Sequence, residues 1–275
     1  MRAYASISRA AVAVFVSLVF AMPSAAGELD QYFATNKLNA TMTIDHSAWD
    51  RILTAYVVPS ADGINRFAYG RVSAADKKAL KTYLAVLQTV NVTGLAANEQ
   101  RAFWINLYNA LTIDVVLDRY PVKTIKDISL GGGFFAFGPW KKALVTVEGK
   151  ALSLDNIEHD ILRKVWHDPR VHYAVNCASM SCPNLMGKAF TGASLDKMLT
   201  QGARDYVIHP RGVKVDRGKV YLSQIFDWYR KDFGTSDAEV LGHIAGYAAP
   251  ALKAQLQGVT RIAGYDYDWS LNEAK

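Results

Sequence analysis

The chain has 275 residues, a formal charge of +6 and two cysteines, and 51% of it is hydrophobic. That much apolar material excludes a disordered or low-complexity chain, and two cysteines exclude a disulfide-dense miniprotein. The basic residues are scattered, as at Lys77, Lys78, Lys123, Lys126, Arg211 and Lys214, and form no stripe of the kind that grips nucleic acid.

The first residues read as a secretory signal peptide. Arg2 and Arg9 precede an apolar run from Ala10 to Phe20, followed by Pro23 and the small residues Ser24, Ala25 and Ala26, the three-part pattern of a cleaved leader. The apolar run is shorter than the roughly 20 residues that span a bilayer. The expectation is cleavage after Ala26 and a periplasmic or secreted, soluble protein with no membrane span. Losing Arg2 and Arg9 takes the formal charge from +6 to +4. No Pro/Ser/Gly-rich linker, repeat or low-complexity tract divides residues 27–275, so one globular domain is expected.

Helix signals dominate the next hundred residues. Asp45 or Ser47 can cap a helix through Trp49, Ile52, Leu53 and Tyr56, and Ser73 can cap another that presents Leu80, Tyr83, Leu84 and Leu87 on one face. A third helix, Ala96 to Arg119, stops before Tyr120-Pro121. It is apolar almost all the way round, which marks it as central. Gly131-Gly132-Gly133, ahead of Phe134, Phe135 and Trp140, does not fit GxGxxG and reads as a surface loop.

Strands follow. A hairpin is expected over 143–152 with Glu148-Gly149 at its turn, and another over 213–222 around Asp216-Arg217-Gly218. Val171 to Asn176 alternates apolar and polar like a half-buried strand. Further helices are expected at 154–166, 194–206, 223–232, 236–247 and 250–257, with a last strand near Thr260 to Asp266. The fold class is α+β: a helix-rich domain with a central buried helix and a small antiparallel sheet of hairpins.

Polar residues inside apolar faces are the candidates for chemistry. Asn106 and Asn109 sit side by side on the central helix, where a buried amide either ties down backbone or orients a reacting group. Glu158 falls among Leu154, Ile161, Leu162 and Val165, so its carboxylate must be paired, protonated or facing a cavity. Arg170 is a candidate partner, and general-base duty is the functional alternative. His159 lies at the edge of the same stripe.

HYAVNCASMSCP, 172–183, holds both cysteines. As a strand it sets His172 and Asn176 on one side, with Cys177 at its exit and a polar loop through Ser181 and Cys182 to Pro183. Three readings remain open there. An oxidising compartment favours a Cys177–Cys182 disulfide. A neighbouring histidine favours a catalytic thiol. A metal site would use His172, Cys177 and Cys182, but no CxxC or HExxH pattern supports it. Ser179 and Ser181 lie in no GxSxG elbow.

Several segments together resemble one family: AFWINLYNALTI (102–113), ALSLDNIEHDILR (151–163), DPRVHYAVNCASMSCPNL (168–185), LSQIFDWYRKDF (222–233) and YDWSLN (267–272). In that order they resemble the DUF547 domain, a family of unknown function, over about 98–272, and imply an exported bacterial member. Plant members carry serine where Cys182 stands, which leaves Cys177 the better single candidate.

Two functions are carried forward. The first is a thiol-dependent amide hydrolase or acyltransferase, with Cys177 as nucleophile, His172 as base, Glu158 or Asn109 orienting it, and Asn106, His159, Asn176, Ser181 and Cys182 binding substrate. The second is a non-catalytic envelope module binding a small molecule, peptide or protein through the aromatic surface around Phe134, Phe135, Trp228 and Tyr229, with the cysteines as a local brace. Neither requires a cofactor or a metal.

Overall fold

The computed structural model describes residues 28–130 and 138–275. The expectations for the leader, 1–26, and for Gly131 to Phe135 lie outside the described residues.

Helices α1 (Leu29–Phe33), α2 (Ser47–Tyr56) and α3 (Ala74–Leu87) come first, with the short antiparallel strands β1 (Val57–Pro59) and β2 (Asn65–Phe67) between α2 and α3. The Ser73 cap forms, whereas the N-cap position of α2 falls on His46, between the two expected candidates. The Asp45 carboxylate accepts the Ser47 N–H at 2.8 Å and the Ser73 hydroxyl accepts the Asp76 N–H at 3.0 Å. The β1–β2 pair escaped the sequence reading because three residues are too few to show an alternation.

The central helix, α4 (Ala97–Arg119), is buried at every position from 99 to 113. Its polar side chains pin the surrounding chain. Glu99 accepts the backbone N–H groups of Ile44 and Gly192, each at 2.7 Å. Arg101 donates to Asp168 at 2.8 Å. Asn106 exchanges two hydrogen bonds with the backbone of Phe190, at 2.7 and 3.0 Å. Asn109 donates to the Ala174 carbonyl at 2.9 Å and accepts the Asn176 N–H at 2.8 Å. A buried polar group without a partner costs about 1–3 kcal/mol, so these pairings are the condition for placing such residues in a core helix.

The first expected hairpin is β3 (Val145–Val147) with β4 (Lys150–Leu152), turning through Glu148 and Gly149, both at positive φ. The helical run 154–166 follows, but residues Asn156–Leu162 are wound as a π-helix before α5 (Arg163–Trp166) resumes the ordinary pitch. π-turns are rare and concentrate at functional sites.

The strand expected at Val171 to Asn176 does not form. Pro169–Tyr173 is a short 3₁₀ turn, started by Asp168, whose carboxylate accepts the Arg170 N–H at 2.9 Å. An Asp-Pro start outweighs a six-residue alternation, because cap and proline both preset helical backbone. His172 and Asn176 therefore do not share a strand face. Helix α6 (Leu195–Ile208) then crosses this turn so closely that a Cβ on Gly202 would stand 2.8 Å from the Tyr173 carbonyl oxygen.

Strands β5 (Val213–Asp216) and β6 (Lys219–Ser223) form the second hairpin, turning through Arg217 and Gly218 at positive φ as two-residue hairpin loops require. The helix expected at 223–232 is broken at Tyr229 into α7 (Ile225–Trp228) and α8 (Arg230–Phe233). Helix α9 (Asp237–Tyr247) begins with a capping box between Ser236 and Glu239, and α10 (Pro250–Leu256) begins on its proline. The last strand, β7 (Ile262–Asp266), joins β6 in parallel, so the sheet is mixed and not purely antiparallel. The architecture is α+β and helix-rich. No helix among the described residues is long and apolar enough to cross a membrane.

Two hydrophobic clusters result. The larger surrounds α4. The smaller joins β5, β6, α6 and α9 around Phe226 and Phe233. The 169–177 segment is the seam: Val171 and Ala174 belong to the first cluster and Tyr173 to the second.

Candidate functional site

A cavity of about 250 Å³ opens along this seam. The α4 side supplies Tyr108, the π-wound segment supplies Glu158 and His159, and the seam supplies His172, Cys177 and Cys182. The smaller cluster and the C-terminal tail supply Trp228, Tyr229, Tyr267 and Trp269. Trp140 and Asp155 complete the wall.

The polar floor is a buried chain of acids and bases. Glu158 is 6% exposed and His172 2% exposed. The His172 ring stacks on Tyr229, centroids 4.1 Å apart, and lies against Phe233. Its Nε2 meets the Asp232 carboxylate at 2.6 Å. Its Nδ1 has no hydrogen-bond partner and lies 3.9 Å from Glu158 Oε1. Burial lowers the His172 pKa, against the opposing pull of Asp232 and Glu158, so the ring is neutral near pH 7. Partial burial would raise the Asp232 carboxyl, but hydrogen bonds from His172 and Arg163 hold it well below the usual carboxylate range. An ionised Asp232 only accepts, which puts the imidazole proton on Nε2 and leaves Nδ1 as a bare lone pair.

Among the described residues Glu158 has no arginine in ion-pairing contact, and Arg170, its expected partner, is spent on Asp168 at 2.7 Å and Asp196 at 2.7 Å. Burial, with the Glu158 carboxylate nearby, pushes the phenol pKa values of Tyr108 and Tyr229 up. Both therefore stay protonated donors. His159, tilted against Tyr229 with ring centroids 5.7 Å apart, reaches Asp155 at 3.8 Å. Burial raises the Asp155 carboxyl, with His159 pulling the other way. Arg163 holds Asp232 through two bonds, 2.6 and 3.1 Å, with its guanidinium over the Tyr229 ring.

Cys177 and Cys182 stand at disulfide distance, with Cα atoms 6.1 Å apart, inside the range a bond requires. The Cys177 N–H donates to Cys182 Sγ at 2.9 Å. The Tyr267 hydroxyl lies 3.2 Å from Cys177 Sγ and 3.3 Å from Cys182 Sγ.

Of the nine residues singled out from the sequence, Glu158, His159, His172, Cys177 and Cys182 line one cavity. Asn106, Asn109 and Asn176 do not. Asn109 spends its amide on backbone at 174 and 176, so the group orienting His172 is Asp232. Asn176 donates to the Pro183 carbonyl at 2.6 Å and accepts the Ala178 N–H at 2.8 Å, which shapes the cysteine loop from beneath. Ser181 braces the tail, accepting the Asp268 N–H at 2.8 Å. Asp232, Asp155, Tyr108 and Tyr267 were missed. The only hint of Asp232 in the sequence was its place in the segment LSQIFDWYRKDF. Among the described residues no group of three or more His, Cys, Asp or Glu side chains is arranged to hold a metal ion.

Residues 92–207 match the family model described as "Protein of unknown function, DUF547". The chain carries a DUF547 domain. The matched span contains Tyr108, Glu158, His172 and both cysteines, and ends before the segment that brings Trp228, Tyr229, Asp232 and Tyr267 to the cavity. No curated protein and no solved structure matches the chain.

Proposed function

We propose that this DUF547 protein is a binding module for a small organic ligand or a peptide side chain, seated in the seam cavity, with Cys177 and Cys182 bracing its wall. One observation carries the reading: aromatic rings wall a cavity on whose floor a few buried polar groups converge, the usual composition of a small-molecule site. The engagement of Cys177 with Cys182 favours a brace over a free nucleophile. The experiment is a small-molecule screen by thermal shift, repeated on Trp228→Ala, whose parent side chain is 45% exposed at the rim. Ligands that stabilise the parent chain and lose their effect in the variant support the reading. A screen with no such ligand overturns it.

A second reading is thiol-dependent acyl transfer or hydrolysis of an amide, favoured by Cys177 sharing the cavity with a histidine anchored by a carboxylate. It requires the cysteine pair to be reduced. The Cys177 thiolate would then add to the carbonyl carbon, and the C–N bond would break as His172 Nδ1 passes the thiol's proton to the leaving amine. Water or another nucleophile would then release the thioester. Activity that appears only with reductant and vanishes in Cys177→Ala is the expected signature.

We also propose that the protein is exported, with residues 1–26 as its cleaved leader. The N-terminal sequence of the protein recovered from its host tests this, with Gly27 expected first.

A further inference from the structure

We propose that the ligand of the seam cavity carries a protonated amine on a flat apolar group. The proposal rests on the binding reading above and names the ligand's class.

The first observation is a pair of facing acceptors. His172 Nδ1 is a buried lone pair with no protein donor, and the oxygen 3.9 Å away, Glu158 Oε1, belongs to a carboxylate. Two acceptors so placed repel until a donor comes between them. One nitrogen about 2.8 Å from each can donate to both. An ammonium has three N–H groups for the task, whereas a hydroxyl has one and a carboxylate none.

The second observation is charge. The whole chain is +6, yet the cavity lining holds the carboxylates of Asp155 and Glu158 and no lysine or arginine. Arg163, just behind the floor, is matched by its two bonds to Asp232. A cation entering the cavity therefore meets two carboxylates in a partly dry environment, where attraction is stronger than in water, with His159, 3.8 Å from Asp155 and 4.0 Å from Glu158, as the basic side chain of the lining.

The third observation is the walls. Indole and phenol faces attract cations through their ring quadrupoles. The chain already uses two of these rings that way, with Lys126 Nζ 5.0 Å from the Trp269 centroid and the Arg163 guanidinium 4.8 Å from that of Tyr229. Trp228 and Trp140 remain to flank the flat part of a ligand whose ammonium reaches the floor.

The test is calorimetric titration of the full chain, unreduced, with three probes of one shape: 2-phenylethylammonium, 2-phenylethanol and 3-phenylpropanoate. The ammonium is expected to bind about tenfold more tightly than the alcohol, and the carboxylate weakest. Glu158→Gln is expected to remove about tenfold from ammonium affinity and to leave the alcohol within about threefold. Should that buried variant fail to fold, Asp155→Asn is expected to weaken the ammonium alone by about threefold. Equal binding of ammonium and alcohol, or tightest binding of the carboxylate, overturns the amine while the cavity keeps its role. So does failure of all three probes when the screen still yields Trp228-dependent ligands. A screen with no Trp228-dependent ligand overturns both.

Discussion

The central helix and the seam handle buried polarity in opposite ways. On α4, Asn106 and Asn109 spend their amides on backbone groups of neighbouring loops, and Glu99 spends both carboxylate oxygens likewise. In the seam, Glu158 and His172 deal with other side chains, and one atom, His172 Nδ1, is left over. Polar groups closed onto backbone hold a fold in register. Polar groups that answer to other side chains, with capacity to spare beside a cavity, can answer to a ligand as well.

Substitutions can break this contrast. Asn109→Leu strands the Ala174 carbonyl and the Asn176 N–H in the core and is expected to cost about 3–4 kcal/mol, read as a lower urea midpoint with unchanged slope. The double replacement Cys177→Ser, Cys182→Ser is expected to cost about 2 kcal/mol, the chain entropy of a short closed loop. A loss below about 0.5 kcal/mol would show the pair to be unbonded in solution.

Gly202→Ala sharpens the contrast from the packing side. In a free helix the change stabilises by up to about 1 kcal/mol. Here the new methyl meets the Tyr173 carbonyl at 2.8 Å, so a destabilisation of about 1–2 kcal/mol is expected instead. Unchanged or increased thermal stability would mean the seam yields where α6 crosses it.

A smaller effect comes from pH. Burial lowers His243 to about 4 from its ordinary 6.5, with its Nε2 2.9 Å from the Tyr173 hydroxyl. Between those values the unfolded chain binds a proton that the folded one refuses. Stability therefore falls as pH drops from about 6.5 towards 4, by about 1 kcal/mol after screening at a half-buried ring. His243→Phe should flatten that part of a stability–pH curve. The smallest effect on stability is expected at the site itself: Glu158→Gln keeps an acceptor for Tyr108 and Tyr229 and should cost under about 1 kcal/mol by thermal melt.

The sequence disclosed what is local. The girth of α4, the cap at Ser73, and both hairpin turns follow from neighbouring residues, and each formed as read. Where two local signals competed, at 168–176, alternation lost to an Asp-Pro start. Glu158 was legible as a misplaced charge, but its company was not, because Arg170 found nearer carboxylates. Asp232 was beyond reach. It lies sixty positions from His172, and nothing in one chain of letters reports a meeting made by packing α8 against the seam. The parallel seating of β7 is hidden for the same reason.

The π-wound turn at 156–162 has a consequence for insertions and deletions. Such a turn is an α-helix holding a surplus residue, and the surplus swings one stretch of side chains out of phase with the rest. Deleting one residue there would restore an ordinary pitch, keep the helix, and rotate Glu158 and His159 against the apolar stripe that now anchors them. A single codon lost at this point would leave a folded chain with a different cavity. The shape of the seam cavity is thus set by the length of this turn as well as by its composition.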